Sequence, residues 1–354
     1  MRIPWIDCCK GLAMIMVVLG HCGDNEYLFK GLYYVHLPLF IMLSGFGIDN
    51  PKYYEVEYSL VKFSAKKAGE LLYPYLIFGV MTFLLQYFRL ALINVNFDCG
   101  GANELLSNIL HFENYANWFL PMLFFAEVLC MIMLKLFYNY KKKVLLIFIF
   151  MIICAFISSR IPKLLPYITN GTIYFLLFTF GKVFAFSFFC LIGYFIKQIL
   201  DMYNARLKVL RKFMIPIMVL SSLTSLIVAS NLPMVDLHTL RWESAKLYFV
   251  VACWGSISFI FMFYFLNISN RLLSHIGKNS LIINGTHLNL LIVPSVVQIS
   301  FFMMPNFAGL FNLGPLIITA GVLFVEIFFV IPIIKNVYPF LSDYKIIVNK
   351  LNTF

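Results

Sequence analysis

Apolar runs of about twenty residues, parted by short polar stretches, recur along the whole chain, and runs of that length match the hydrocarbon core of a bilayer. The pattern predicts ten spans, at 3–23, 31–48, 71–95, 118–138, 144–159, 173–196, 213–231, 245–266, 280–301 and 313–334. Charge tests this division. With the N-terminus inside, the inner loops receive Lys52, Lys62, Lys66, Lys67, Lys141, Lys142 and Lys143, then the basic stretch 197–212, Arg271, Lys278 and the C-terminal lysines. The outer loops receive only Lys30, Arg160, Lys163, Arg241 and Lys246. That asymmetry predicts an all-α polytopic membrane protein with both termini cytoplasmic. The loops are short, so 1–354 reads as one integral-membrane domain with no appended soluble domain. The longest outer connection, 96–117, carries a helix-like pattern at 103–111. The stretch 197–212 reads as an inner amphipathic connector.

Composition agrees. A chain of 354 residues that is 62% hydrophobic and 12% charged needs lipid as its solvent. The net charge of +11 therefore speaks for loop topology and not for nucleic acid. Eight cysteines include no CxxC pair, so neither a metal site nor a disulfide framework is expected. No small-residue cleavage site follows the first apolar run, which reads as a retained helix.

Ionisable residues inside spans are the candidate chemistry, because a bilayer core tolerates them only for a reason. In the first span, Lys10 and His21 are separated by ten residues. On a continuous helix they would lie about 20° apart in angle and roughly 16 Å apart along the axis. Asp7 sits one turn before Lys10 and can neutralise it at i,i+3. His36, in the returning second span, falls at a depth comparable with His21. Glu127 lies in mid-span, Trp118 at a span edge where it can anchor or stack on a sugar, and Lys182 and Glu326 can pair with other helices. Arg89 reads as snorkelling to the outer interface. His287 falls nearer the inner side. His111, His238 and His275 fall in loops.

The run Ile6-Asp7…Lys10-Gly11…Val17-Val18-Leu19-Gly20-His21 resembles the first-helix signature of the integral-membrane acyltransferase 3 family. His36-Leu37-Pro38-Leu39-Phe40…Ser44-Gly45-Phe46 is similar to its second-helix block. Lys66…Leu71-Leu72-Tyr73-Pro74-Tyr75 and Asn117-Trp118-Phe119-Leu120-Pro121 resemble two further blocks. Ile276-Gly277-Lys278-Asn279-Ser280-Leu281…His287 looks like the ending of the fucose 4-O-acetylase-like branch. Five blocks in order cover nearly the whole chain. The basic position holds lysine where arginine is often found, a point charge in place of a planar fork.

The resemblance implies transfer of an acyl group, usually acetyl, from coenzyme A to a hydroxyl of a carbohydrate or lipid-linked glycan. It implies His21 as catalytic base and Lys10, Asp7, Lys66, Lys67 and His287 on the donor side. His36, Ser44, Trp118 and Glu127 would hold or orient the acceptor. Acetyl-CoA is then a co-substrate, with no permanently bound cofactor and no metal. Expected partners are acyl-CoA, the glycan acceptor, membrane lipid and, beyond these, a second copy or glycan-synthesis machinery. The expected setting is the bacterial cytoplasmic membrane. A glycan or lipid transporter or flippase is the alternative, using the same charged residues as a pathway.

Overall fold

The computed structural model of the chain describes residues 3–22, 26–49, 53, 59–92, 106–113, 115–288, 290, 292–293, 295–297, 314–341 and 344–345. Among the described residues all regular structure is helical, apart from one isolated antiparallel bridge between Asp236 and Arg241. Among the described residues, seven helices are long and apolar enough to cross a membrane. The polytopic helical class expected from the apolar runs is the class observed. Helix α1 covers Pro4–Leu19, α2 Glu26–Ile48, α3 Leu60–Lys67 and α4 Tyr73–Leu92. Then come α5 Phe119–Phe137, α6 Lys143–Leu164, α7 Gly171–Ser230 and α8 Ala245–Leu266. The chain continues with α9 Arg271–Lys278, α10 Ser280–Thr286 and α11 Gly314–Val325. Predicted spans 118–138 and 245–266 coincide with α5 and α8. The part of span 280–301 beyond 297, and the Arg89 side chain, lie outside the described residues.

Four differences from expectation have physical causes. Helix α1 stops at Leu19 with Gly20 as its cap, so His21 lies in a turn and not on the helix. The angular argument linking Lys10 to His21 therefore does not apply. Helix α6 runs on past Ser159, and the Arg160 guanidinium is accommodated over the Phe156 ring, 5.0 Å from its centre. His275, expected in a loop, lies on α9. The sixth and seventh predicted spans belong to one 60-residue helix, α7. That helix cannot be straight. Its Cys190 backbone meets α2 at Gly45 and its Ser230 meets α2 at Gly31. These points are about 21 Å apart along α2 but about 60 Å apart along α7 at 1.5 Å per residue. Helix α7 therefore bends through its exposed middle, the basic stretch read as a connector. Pro216 lies just beyond that stretch within the unbroken helix, where its ring has no N–H and crowds the carbonyl of the preceding turn, which favours bending.

The chain forms two compact units. The first holds Met1–Gly20, Asn25–Ser64 and Phe125–Lys278. Its helices meet backbone to backbone. A Cβ on Gly11 would lie 2.1 Å from the Leu273 carbonyl oxygen, and one on Gly277 would lie 1.9 Å from that of Asp7. A Cβ on Gly193 would lie 1.9 Å from the Met42 carbonyl oxygen. Such contacts suit lipid, where apolar burial between helices offers no driving force and close van der Waals approach replaces it.

The second unit holds His21–Asp24, Ala65–Phe124 and Asn279–Phe354. Here the helices are wound less regularly. Wider π-helical turns occupy Ala68–Leu72, Glu326–Val330 and Ile333–Val337. A 3₁₀ turn at Tyr115–Trp118 packs against α4 and α10. The Tyr75 hydroxyl donates to the Ile109 carbonyl at 2.7 Å and ties α4 to the short helical stretch at 106–110.

Candidate active site

Helix α10 ends at Thr286, and the chain then widens: the His287 carbonyl accepts from Val293, six residues on. At this opening the His287 ring lies against the His21 ring, with centroids 5.5 Å apart and planes tilted by 41°. His287 is completely buried, whereas His21 is half-buried. The His287 Nδ1 lies 2.7 Å from the Ile283 carbonyl oxygen. A carbonyl can only accept, so Nδ1 carries a proton and donates it there, which leaves Nε2 as the ring nitrogen still to be matched. That Nε2 is buried and has no hydrogen-bond partner among the described residues. His287 was expected nearer the inner side, by counting from the start of an unbroken span. The contact with His21 puts both rings at one depth, so its assignment to donor contact does not follow from position.

Two more polar features belong to the same unit. Asn117 is fully buried in the 3₁₀ turn, and neither end of its amide has a partner among the described residues. Buried polar atoms in native proteins are rarely left unmatched. The Asn117 amide and the His287 Nε2 are thus places where a polar ligand would gain bonds at little further desolvation. The Thr286 hydroxyl, beside His287 in sequence, lies 2.8 and 2.9 Å from the two carboxyl oxygens of buried Glu326. The pairing of Glu326 with another helix was expected. Its partner, one residue from the histidine, was not visible in the sequence. Trp118 is buried within protein, edge-on to Phe119, so it is not a lipid-interface anchor.

The comparisons with known proteins address the chain as a whole. A family model described as an acyltransferase domain of the acyltransferase 3 type matches residues 3–335. The chain belongs to the acyltransferase 3 family. No curated protein and no solved structure matches it. Membership makes the protein a membrane acyltransferase.

The remaining candidate residues of this acyltransferase are distributed as follows. Lys10 is half-buried on α1. Asp7 has Lys278 of α9 as an ion-pair partner, with Nζ–Oδ2 4.0 Å, a contact made possible by the Gly277 approach to the Asp7 backbone. Lys66 and Lys67 both face Glu70, at 3.8 and 3.3 Å, so their charge is partly offset. His36 is buried, with Nδ1 2.5 Å from the Leu32 carbonyl and its ring edge-on to Tyr33. Ser44 is half-buried on α2 and Glu127 is buried on α5. Sequence reasoning missed Asn117, although the tryptophan beside it was singled out. The signal available was an amide next to that tryptophan at the start of an apolar run.

Proposed function

We propose that the protein moves an acyl group, acetyl in the first instance, from acyl-CoA to a hydroxyl of a cell-surface or lipid-linked carbohydrate. The observation that carries this reading is the histidine pair: a half-buried His21 held against a fully buried His287. His21 is the ring a substrate can reach, and it takes the proton of the acceptor hydroxyl. The hydroxyl oxygen attacks the thioester carbonyl, the carbon–sulfur bond breaks, and the proton passes from His21 to the departing sulfur. His287, fully buried with its ring against that of His21, holds His21 in position through that ring contact. Asn117 and Trp118 read the acceptor, with His36, Ser44 and Glu127 as further acceptor-side groups.

The chain crosses the membrane ten times with both ends cytoplasmic. The loop charges support this, and the bend of α7 supports counting it as two arms. Donor phosphates then meet the basic side, and Lys10, Lys66 and Lys67 are the cations expected to receive them. The setting that suits this division is the bacterial cytoplasmic membrane, with a cytoplasmic donor and an outward acceptor.

The test is acetyl transfer from labelled acetyl-CoA to a panel of bacterial glycans by the full chain in proteoliposomes. His21→Ala is expected to lower kcat by a factor of about 10²–10⁴ while the protein elutes as wild type. Transfer by folded His21→Ala at the wild-type rate would overturn the assignment. Lys10→Gln is expected to raise the apparent KM for acetyl-CoA and leave that for the glycan unchanged; equal changes in both would remove its donor role.

A further inference from the structure

We propose that the groove formed by α6, α7 and α8 in the first unit is a binding site for an anionic glycerophospholipid. The groove has a volume of about 720 Å³, within the range of roughly 300–1,000 Å³ typical of small-molecule sites. Its walls are almost wholly apolar. Phe148 and Met151 come from α6, Phe195, Ile196 and Ile199 from α7, and Ile257 from α8.

Depth limits what the groove can hold. On α6 the lining runs from Val144 to Met151 and on α7 from Ile192 to Ile199. Each stretch rises about 10 Å, against roughly 15 Å for one leaflet of a 30 Å hydrocarbon core. The groove therefore accommodates a hydrocarbon chain from one leaflet and does not cross the membrane.

Charge at one end selects the head group. Lys141 and Lys142 line the groove where α6 begins, both are exposed, and neither has an ion-pair partner among the described residues. The neighbouring cations are engaged elsewhere. Lys143 lies over the Tyr138 ring, 5.0 Å from its centre, and Lys197 pairs with Asp201. No acidic residue lines the groove. A zwitterionic head group would bring its own cation to two lysines, whereas an anionic one brings net negative charge. Near a membrane surface each lysine is worth a factor of about five in affinity for anionic lipid. Nothing in this site depends on the acyl-transfer reading.

The test presents the purified full chain in detergent with equal amounts of phosphatidylglycerol and phosphatidylcholine of matched chains, and reads bound lipid by native mass spectrometry. Wild type is expected to retain phosphatidylglycerol preferentially. The double variant Lys141→Gln/Lys142→Gln should lower that retention by roughly 25-fold and leave phosphatidylcholine unchanged. Ile196→Trp, which fills the groove, should expel both. The exposed pair Lys208→Gln/Lys212→Gln serves as a control and should change little. Equal retention of the two lipids by wild type, or an equal loss in the control pair, would overturn the proposal. Displacement of phosphatidylglycerol by an equimolar polyprenyl phosphate would also overturn it, by assigning the groove to a lipid carrier.

Discussion

The contact of α1 with α9 and the pairing of His21 with His287 are opposite solutions to life in a membrane. At the first, glycines bring two backbones together until no side chain fits between them. At the second, an imidazole nitrogen is buried without a hydrogen-bond partner among the described residues, as is the Asn117 amide of the same unit. Packing of the first kind fixes positions without polar chemistry. An arrangement of the second kind is costly to build and has value only if something polar arrives. The difference separates what holds this acyltransferase together from what it does.

The largest expected effect breaks the first contact. Gly277→Leu places a side chain where a Cβ alone would stand 1.9 Å from the Asp7 carbonyl oxygen. Backbone cannot yield as a side-chain tip can, so the variant should give no monodisperse folded peak in detergent. A wild-type elution profile with full activity would show that the two helices are not in that contact. Breaking the second region should do the reverse. His287→Ala is expected to keep the folded peak, to lower kcat on the order of a hundredfold, and to leave the KM for acceptor alone. A KM effect without a kcat effect would make His287 a binding group and not a positioning one.

The smallest effect sharpens the boundary between the two kinds of region. Thr286→Val keeps the shape of the side chain but removes the hydroxyl that faces buried Glu326 at 2.8 Å. Leaving a buried group without this partner should cost about 1–3 kcal/mol of stability, read as a lower unfolding midpoint in the same detergent. An unchanged midpoint would show that the hydroxyl contributes nothing net, and that Glu326 belongs with the functional polar groups.

Spans were legible wherever a helix is bounded by charge at both ends, as for α5 and α8. They were misjudged where a charge could be absorbed locally. Arg160 on the Phe156 ring let α6 run on, and Gly20 ended α1 before the apolar run ended. The candidate site was half legible. His21 stood out because an ionisable residue in an apolar run is conspicuous in any order of letters. His287 stood out too, but its depth was misread. No count of residues along one span shows that its ring meets His21 of the first apolar run. Asn117 stood at the head of a block that resembles the family, yet nothing in the order of letters showed that its amide would be buried without a partner among the described residues.

The sequence by itself determined the solvent, the helical class, the family and the identity of the ionisable residues within the apolar runs. These follow from composition and local order, which need no knowledge of what lies next to what. Only the tertiary structure decided that Asp7 has Lys278 as a partner, that α7 bends back along α2, and that His287 lies on His21. Those outcomes depend on which residues, hundreds of positions apart, are brought within a few ångströms. In a chain this apolar, close packing at glycines and small turns makes that choice, and no single stretch of sequence records it.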